Sequence, residues 1–225
     1  MSTLQLIWDS KTTYELSSWD DAVHYAAQIV RPLHKTKNIY MVRAGPRGTE
    51  PGDVCAVKIA FGEEAIEEMR REAGFYQHEL GSLQGTVVPN FFGFWTGQAQ
   101  GQPMSCIMLE YCAGPTPHYS LRQQLEWKAT QAVYALHRAG VLHGDLVDGN
   151  RHHFIPMGHD VRIVDFSVAV PHRCVRGLSQ RAAGHGLDQI CGCPEVASVE
   201  RLFAARRPPC KETEMEEYWP PSRRV

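Results

Sequence analysis

Val141-Leu-His-Gly-Asp-Leu-Val-Asp-Gly-Asn150 and, beyond the turn Pro156-Met-Gly-His-Asp160, Val161-Arg-Ile-Val-Asp-Phe166 frame the most informative region of the chain. Arg151 to Ile155 and Val161 to Phe166 are β-prone runs on either side of that turn, which predicts a hairpin. Asp145 falls in the loop before it, Asn150 where its first strand begins and Asp165 where its second ends. Strand pairing then sets Asn150 and Asp165 side by side as two oxygen ligands. Mg²⁺ is usually held by one or two protein oxygens plus substrate phosphates, so this pair suffices when a nucleotide supplies the rest. Asp145, between a short apolar segment and a hairpin, has no packing reason to be there and is placed to accept a proton from an attacking hydroxyl.

Upstream, Asn38 to Arg43 and Val54 to Ala60 are β-prone runs around a turn rich in Gly and Pro, a second hairpin with Lys58 near its end. Ile66, Met69, Ala73, Tyr76, Leu80 and Leu83 recur in steps of three or four, which predicts an amphipathic helix from Glu63 to Leu83. Val87 to Trp95 and Ser105 to Tyr111 read as another strand pair, broken by a hinge near Cys112. A second helix is predicted from Leu121 to Arg138, stopped by Gly140, and a last one from Val196 to Arg206. Trp19, Val23, Ala26, Ala27 and Val30 fit a short N-terminal helix. The order strands, helix, strands, hinge, helix, hairpin suits a two-lobed α+β architecture.

The composition narrows the functional classes. The chain has 225 residues, 43% apolar and 21% charged, enough to bury one large core or two small lobes around a cleft. A balance of 23 basic against 25 acidic residues removes the positive surplus that nucleic-acid backbones demand. No apolar run approaches the ~20 residues of a membrane span, and the first residues lack a leader pattern. The expectation is an intracellular, cytoplasmic or nuclear protein with neither nucleic acid nor membrane as partner. Seven scattered cysteines read as reduced thiols. His172, Cys174, Cys191 and Cys193 are zinc-type ligands, although their spacings are weaker than paired Cys-x-x-Cys knuckles.

Ala56-Val-Lys58, Glu72, Glu110-Tyr111, His143-Gly-Asp-Leu-Val-Asp-Gly-Asn150 and Asp165-Phe-Ser167 together resemble the protein-kinase-like superfamily, and most of all short divergent kinase-like domains of fungal proteins. The resemblance spans about Ile39 to Phe166, with a weaker tail to Glu195 that includes His172/Cys174 and Cys193/Glu195. It implies an α+β, two-lobed protein-kinase-like fold with a reduced C-terminal lobe. Residues 1–111 would form the small lobe, with an N-terminal helix, an antiparallel sheet and one long helix; 112–207 the reduced helical lobe; 208–225 a tail. It further implies ATP and Mg²⁺ as cofactors: Lys58 on the α- and β-phosphates, Glu72 fixing that ammonium, and the backbone near Glu110 and Cys112 on adenine. Asp145 would be the base, and Asn150 and Asp165 the metal ligands. Glu72 is preferred over Glu68 and Glu79 because it lies fourteen residues past Lys58, one turn before an inward Tyr76. His143 is expected to be a packed structural residue.

The sequence also departs from the family. No Gly-x-Gly-x-x-Gly precedes Lys58; Gly45, Gly48 and Gly52 fall in the turn just before its strand. Gly144 stands where conventional protein kinases carry arginine, Val147 where a lysine is common, and Ser167 where glycine is usual. The expected activity is transfer of the γ-phosphate of ATP to a hydroxyl acceptor, protein Ser or Thr among the candidates. The alternative is a catalytically impaired pseudokinase that binds nucleotide or protein. A third reading, a small zinc-stabilised interaction domain, rests on the His and Cys residues alone.

Overall fold

Leu4 and Leu6 alternate with more exposed neighbours along Ser2–Ile7 (β1), and both side chains are fully buried. The chain reverses at Asp9, whose carboxylate accepts hydrogen bonds from the backbone N–H groups of Lys11 and Thr12 at 2.7 and 2.8 Å, and returns as Thr13–Ser18 (β2). In the computed structural model, which describes residues 1–18, 23–34, 37–50, 52–113, 122–146, 151–174 and 193–204, five further strands join this pair. They are His24–His34 (β3), Ile39–Pro46 (β4), Asp53–Phe61 (β5), Phe91–Ala99 (β6) and Gln102–Glu110 (β7). Their order is β1-β2-β6-β7-β5-β4-β3, and parallel pairing of β1 with β3, Thr3↔His24 through Ile7↔Gln28, closes the sheet into a barrel. Closure leaves no unpaired edge. Leu4, Leu6, Leu16, Val42, Val57, Ile59, Trp95, Met104 and Met108 fill the interior.

This barrel corrects the expected architecture. The chain does not have a two-lobed protein-kinase-like fold, and the resemblance to that superfamily is overturned with it: the described residues form a closed seven-stranded barrel with only a few helices. The physical reason lies in the first 34 residues. From His24 on, the predicted N-terminal helix is instead β3, because its backbone groups pair with β1 on one side and β4 on the other; Trp19, the start of that predicted helix, lies outside the described residues. Ala26 and Ala27 are both buried although they point to opposite faces of the strand, so their spacing imitates a helical stripe.

The helix Glu63–Gln77 (α1) lies on the outside of the barrel, where Ile66, Met69 and Ala73 pack on Ala60, Phe94 and Ile107. It ends at Gln77 rather than Leu83, and a 3-10 turn, Gly81–Leu83, follows. The next strand begins at Phe91 rather than Val87, since Pro89 has no N–H to donate and Val87 and Val88 are tied back to Leu83.

A second core lies beyond the barrel. It is built from Arg122–Arg138 (α2), Val141–Leu142 (β8), Phe154–Met157 (β9), Asp160–Ile163 (β10), Val170–Pro171 (β11) and Pro194–Ala204 (α3). β9 and β10 form a hairpin at the predicted turn but with other bounds: Arg151–His153 is a 3-10 turn rather than strand, the second strand ends at Ile163 rather than Phe166, and Phe154 stands opposite Ile163. Leu125, Ala129, Val133 and Leu136 of α2 meet Val196 and Val199 of α3 and Phe166, while Tyr76 and Leu80 enter the same core from the α1 side. Ile163 donates to the Val87 carbonyl at 2.8 Å, and the buried Arg162 guanidinium donates to the carbonyls of Gly85 and Thr86. The second core is thereby fixed against the loop leading into β6. The predicted tail, 208–225, lies outside the described residues, and among those residues no helix is long and apolar enough to cross a membrane.

Candidate functional site

Alternation along β5 sends Val57 and Ile59 into the barrel, so Lys58 emerges on the outer face beneath α1. On α1, Glu72 falls on the same face as Met69, Ala73 and Tyr76, and its side chain is only 2% exposed. A carboxylate buried on an apolar helix face needs a partner. It has one in Lys58, whose Nζ lies 2.7 Å from Glu72 Oε2. The same ammonium donates to Asp165 Oδ1 at 2.9 Å, and Lys37 donates to Asp165 Oδ2 at 3.1 Å. Ser167 Oγ adds a hydrogen bond to Oδ1 at 3.0 Å, and the Phe166 N–H donates to Glu72 Oε1 at 3.2 Å. Five side chains and one backbone N–H, from four separate parts of the chain, therefore close one polar cluster where the barrel, α1 and the second core meet.

The charges set the protonation states. Burial alone raises the Asp165 carboxyl, but the charge and hydrogen bond of Lys58, with Lys37 adding to them, hold it well below the usual carboxylate range. Burial works against the Lys58 ammonium, yet Glu72 and Asp165 outweigh it and raise its pKa. Glu72 is pushed upward by burial, against the pull of Lys58. Asp165 also has a left-handed backbone, φ 70°; its carboxylate meets Lys58 and Lys37 while the next side chain, Phe166, is buried. Phe166 is fully buried, edge-on to Tyr76 with ring centroids 5.5 Å apart.

Asp145 lies at the mouth of the second core, with its side chain 46% exposed. His153 Nε2 is 2.9 Å from its Oδ2. The loop that carries it is held from behind. Glu195, buried at the start of α3, accepts the His143 N–H at 3.1 Å and the Gly144 N–H at 2.7 Å. Gly144 has φ 84°, and a β-carbon there would come within 2.9 Å of the Val168 carbonyl oxygen. That is a local reason for glycine at this position. His143 is fully buried, with Nε2 donating to the Val164 carbonyl at 3.1 Å and Nδ1 accepting the Asp145 N–H at 3.4 Å. One donor and one acceptor specify a neutral ring.

Of the residues singled out from sequence, Lys58, Glu72 and Asp165 are in direct contact. Asp145 is on the adjoining loop, and Asn150 lies outside the described residues. Asp165 follows the end of β10 rather than belonging to it. Glu110 is committed elsewhere: its N–H donates to the Asn90 carbonyl at 2.8 Å, and its carboxylate accepts from the Asn90 N–H at 3.0 Å and faces Arg162 Nε at 3.7 Å. The Cys112 thiol points back to the Glu110 carbonyl at 3.6 Å. Lys37, Ser167 and Glu195 complete the site without having been identified as parts of it. A hollow of about 330 Å³ between Trp8, Tyr14 and Phe61 includes none of these residues. Lys58 itself lies between the two carboxylates, and Lys37 meets the other oxygen of Asp165.

The donor set suits a phosphate with a divalent cation. It offers one partly exposed carboxylate, Asp165, and an ammonium held in place from behind. The chain matches no family model, and no curated protein matches it.

Proposed function

We propose that this chain is an ATP- and Mg²⁺-dependent phosphotransferase that moves the γ-phosphoryl group to a hydroxyl acceptor. The observation that carries the reading is Lys58 Nζ held at 2.7 Å from buried Glu72 and 2.9 Å from Asp165. An ammonium fixed between a buried and a partly exposed carboxylate is a preorganised phosphate ligand, because its orientation is already set before the substrate arrives. Lys58 would bind the phosphates of ATP, Glu72 would keep it aimed, and the backbone at Cys112 would meet the base. Asp165, with Lys37 displaced, would take the divalent cation, whose role is to offset negative charge on the phosphates. Asp145 would accept the proton of the acceptor hydroxyl as its oxygen bonds to phosphorus and the bond to ADP breaks.

The test is phosphate transfer from ATP and Mg²⁺ to a panel of hydroxyl acceptors, water included. Asp145→Asn is expected to slow turnover by about 100-fold or more while ATP still binds. Equal rates in the two proteins would remove the assigned base. A second reading, nucleotide binding without turnover, is favoured by the hydrogen bond of His153 to Asp145 Oδ2, which occupies an oxygen the base would use. ATP binding with no transfer to any acceptor is its signature.

A further inference from the structure

Four side chains outside the Lys58 cluster converge in the second core: His137 in the last turn of α2, His172 and Cys174 just after β11, and Cys193 immediately before α3. One ligand atom from each lies within 4.8 Å of all the others. We propose that these four residues bind a structural zinc ion. The inference goes beyond the phosphate reading and stands without it.

The distances carry the argument. Cys193 Sγ is 3.6 Å from His137 Nδ1 and 3.7 Å from His172 Nε2. Zinc bonds of about 2.3 Å to sulfur and about 2.05 Å to nitrogen, meeting at a tetrahedral angle, place sulfur and nitrogen about 3.6 Å apart. The two imidazole rings stand nearly perpendicular, at 81°, with centroids 5.0 Å apart, so they do not stack, and one nitrogen of each lies beside the same sulfur. Two sulfurs and two nitrogens, all from the protein, make a closed site, the pattern of structural zinc.

The surroundings fit as well. His137 Nε2 lies 2.8 Å from Glu195 Oε2, and both side chains are almost completely buried. The carboxylate accepts a hydrogen bond from Nε2–H and leaves the Nδ1 lone pair facing Cys193. A carboxylate behind a histidine in this way fixes the tautomer and strengthens the ligand. The same Glu195 holds the N–H groups of His143 and Gly144. One ion would thus tie the end of α2, the segment after β11 and the start of α3 together, and hold Glu195 behind the Asp145 loop. The ligand set corrects the grouping read from spacing: His137, far away on a helix, enters it, and Cys191 lies outside the described residues.

The test is elemental analysis of the full-length chain purified without added metal, followed by exchange to Co²⁺ and absorption spectroscopy. We expect about one zinc per chain and, with cobalt, intense tetrahedral d–d bands with a thiolate charge-transfer band. Cys193→Ser and Cys174→Ser should each abolish the thiolate signature or shift it, while Cys55→Ser, inside the barrel, should leave it unchanged. Glu195→Gln, which changes a positioning residue, should weaken zinc in a chelator competition by about 10–100-fold. Should a ligand variant fail to fold, the wild-type cobalt spectrum still decides. Folded wild type without zinc that takes up no cobalt, a Cys174–Cys193 disulfide in the purified protein, or zinc fully retained in both ligand variants would overturn the assignment.

Discussion

Lys58 Nζ lies 2.9 Å from Asp165 Oδ1, although 107 residues separate them in the chain. That contact joins the outer face of the barrel to the second core, and Glu72 supplies the opposing carboxylate. Replacing the ammonium by an apolar chain leaves the buried Glu72 carboxylate without its cation and Asp165 with Lys37 alone. We predict that Lys58→Met lowers stability by about 2–3 kcal/mol in urea unfolding. This is less than the ~3–5 kcal/mol of a fully buried pair, since the Lys58 side chain is 22% exposed. A loss below about 0.5 kcal/mol would mean that the pair is a surface contact.

The barrel makes its own prediction. Leu6 is fully buried in the interior, on a strand that closes the sheet. Leu6→Ala should cost about 2–5 kcal/mol, as in any well-packed core. If the first strand were a loosely attached extension, the cost would be under about 1 kcal/mol.

Gly144 adopts a left-handed backbone with the Val168 carbonyl close by. Gly144→Ala is predicted to cost about 1–2 kcal/mol from the backbone alone, with the contact adding to it. Thermal or urea unfolding measures this. Unchanged stability would show that the loop relaxes freely.

His143 gives a pH dependence. Burial is the largest influence on its ring and lowers the pKa, with His153 adding to the effect and the Val164 carbonyl opposing it. The unfolded chain therefore binds a proton near pH 6.5 that the folded chain refuses until lower pH. The contribution of His143 to stability is complete above that value and is lost as the pH falls toward the folded pKa. Ring resonances assigned through His143→Gln should titrate below pH 6.5; titration at or above it would contradict the buried neutral ring.

Much of the candidate site was legible because it rests on local periods. The two-residue period of Val54 to Ala60 separates Lys58 from the interior residues, and the helical period after Glu63 singles out Glu72 as a carboxylate on an apolar face. The barrel was harder to read. Leu4 and Leu6 alternate, and Asp9 marks a turn, yet the strand is too short to stand out from one sequence. β3 hides more deeply, because its two buried residues, Ala26 and Ala27, are adjacent and point to opposite faces, which breaks the alternation and leaves a helix-like spacing. Closure itself depends on the pairing of β1 with β3, a non-local contact that no short motif encodes. For the same reason His137 escaped notice: it meets Cys193 across 56 residues, and only the folded second core brings them together.

The most direct test of the phosphate site is thermal or chemical stabilisation by ATP with Mg²⁺. At about 100 times its dissociation constant the ligand should add ~2.7 kcal/mol to the wild type, and the gain should vanish in both Lys58→Met and Asp165→Asn. A wild-type protein that gains nothing, or variants that gain as much as the wild type, would contradict the assignment of Lys58 and Asp165 to a nucleotide.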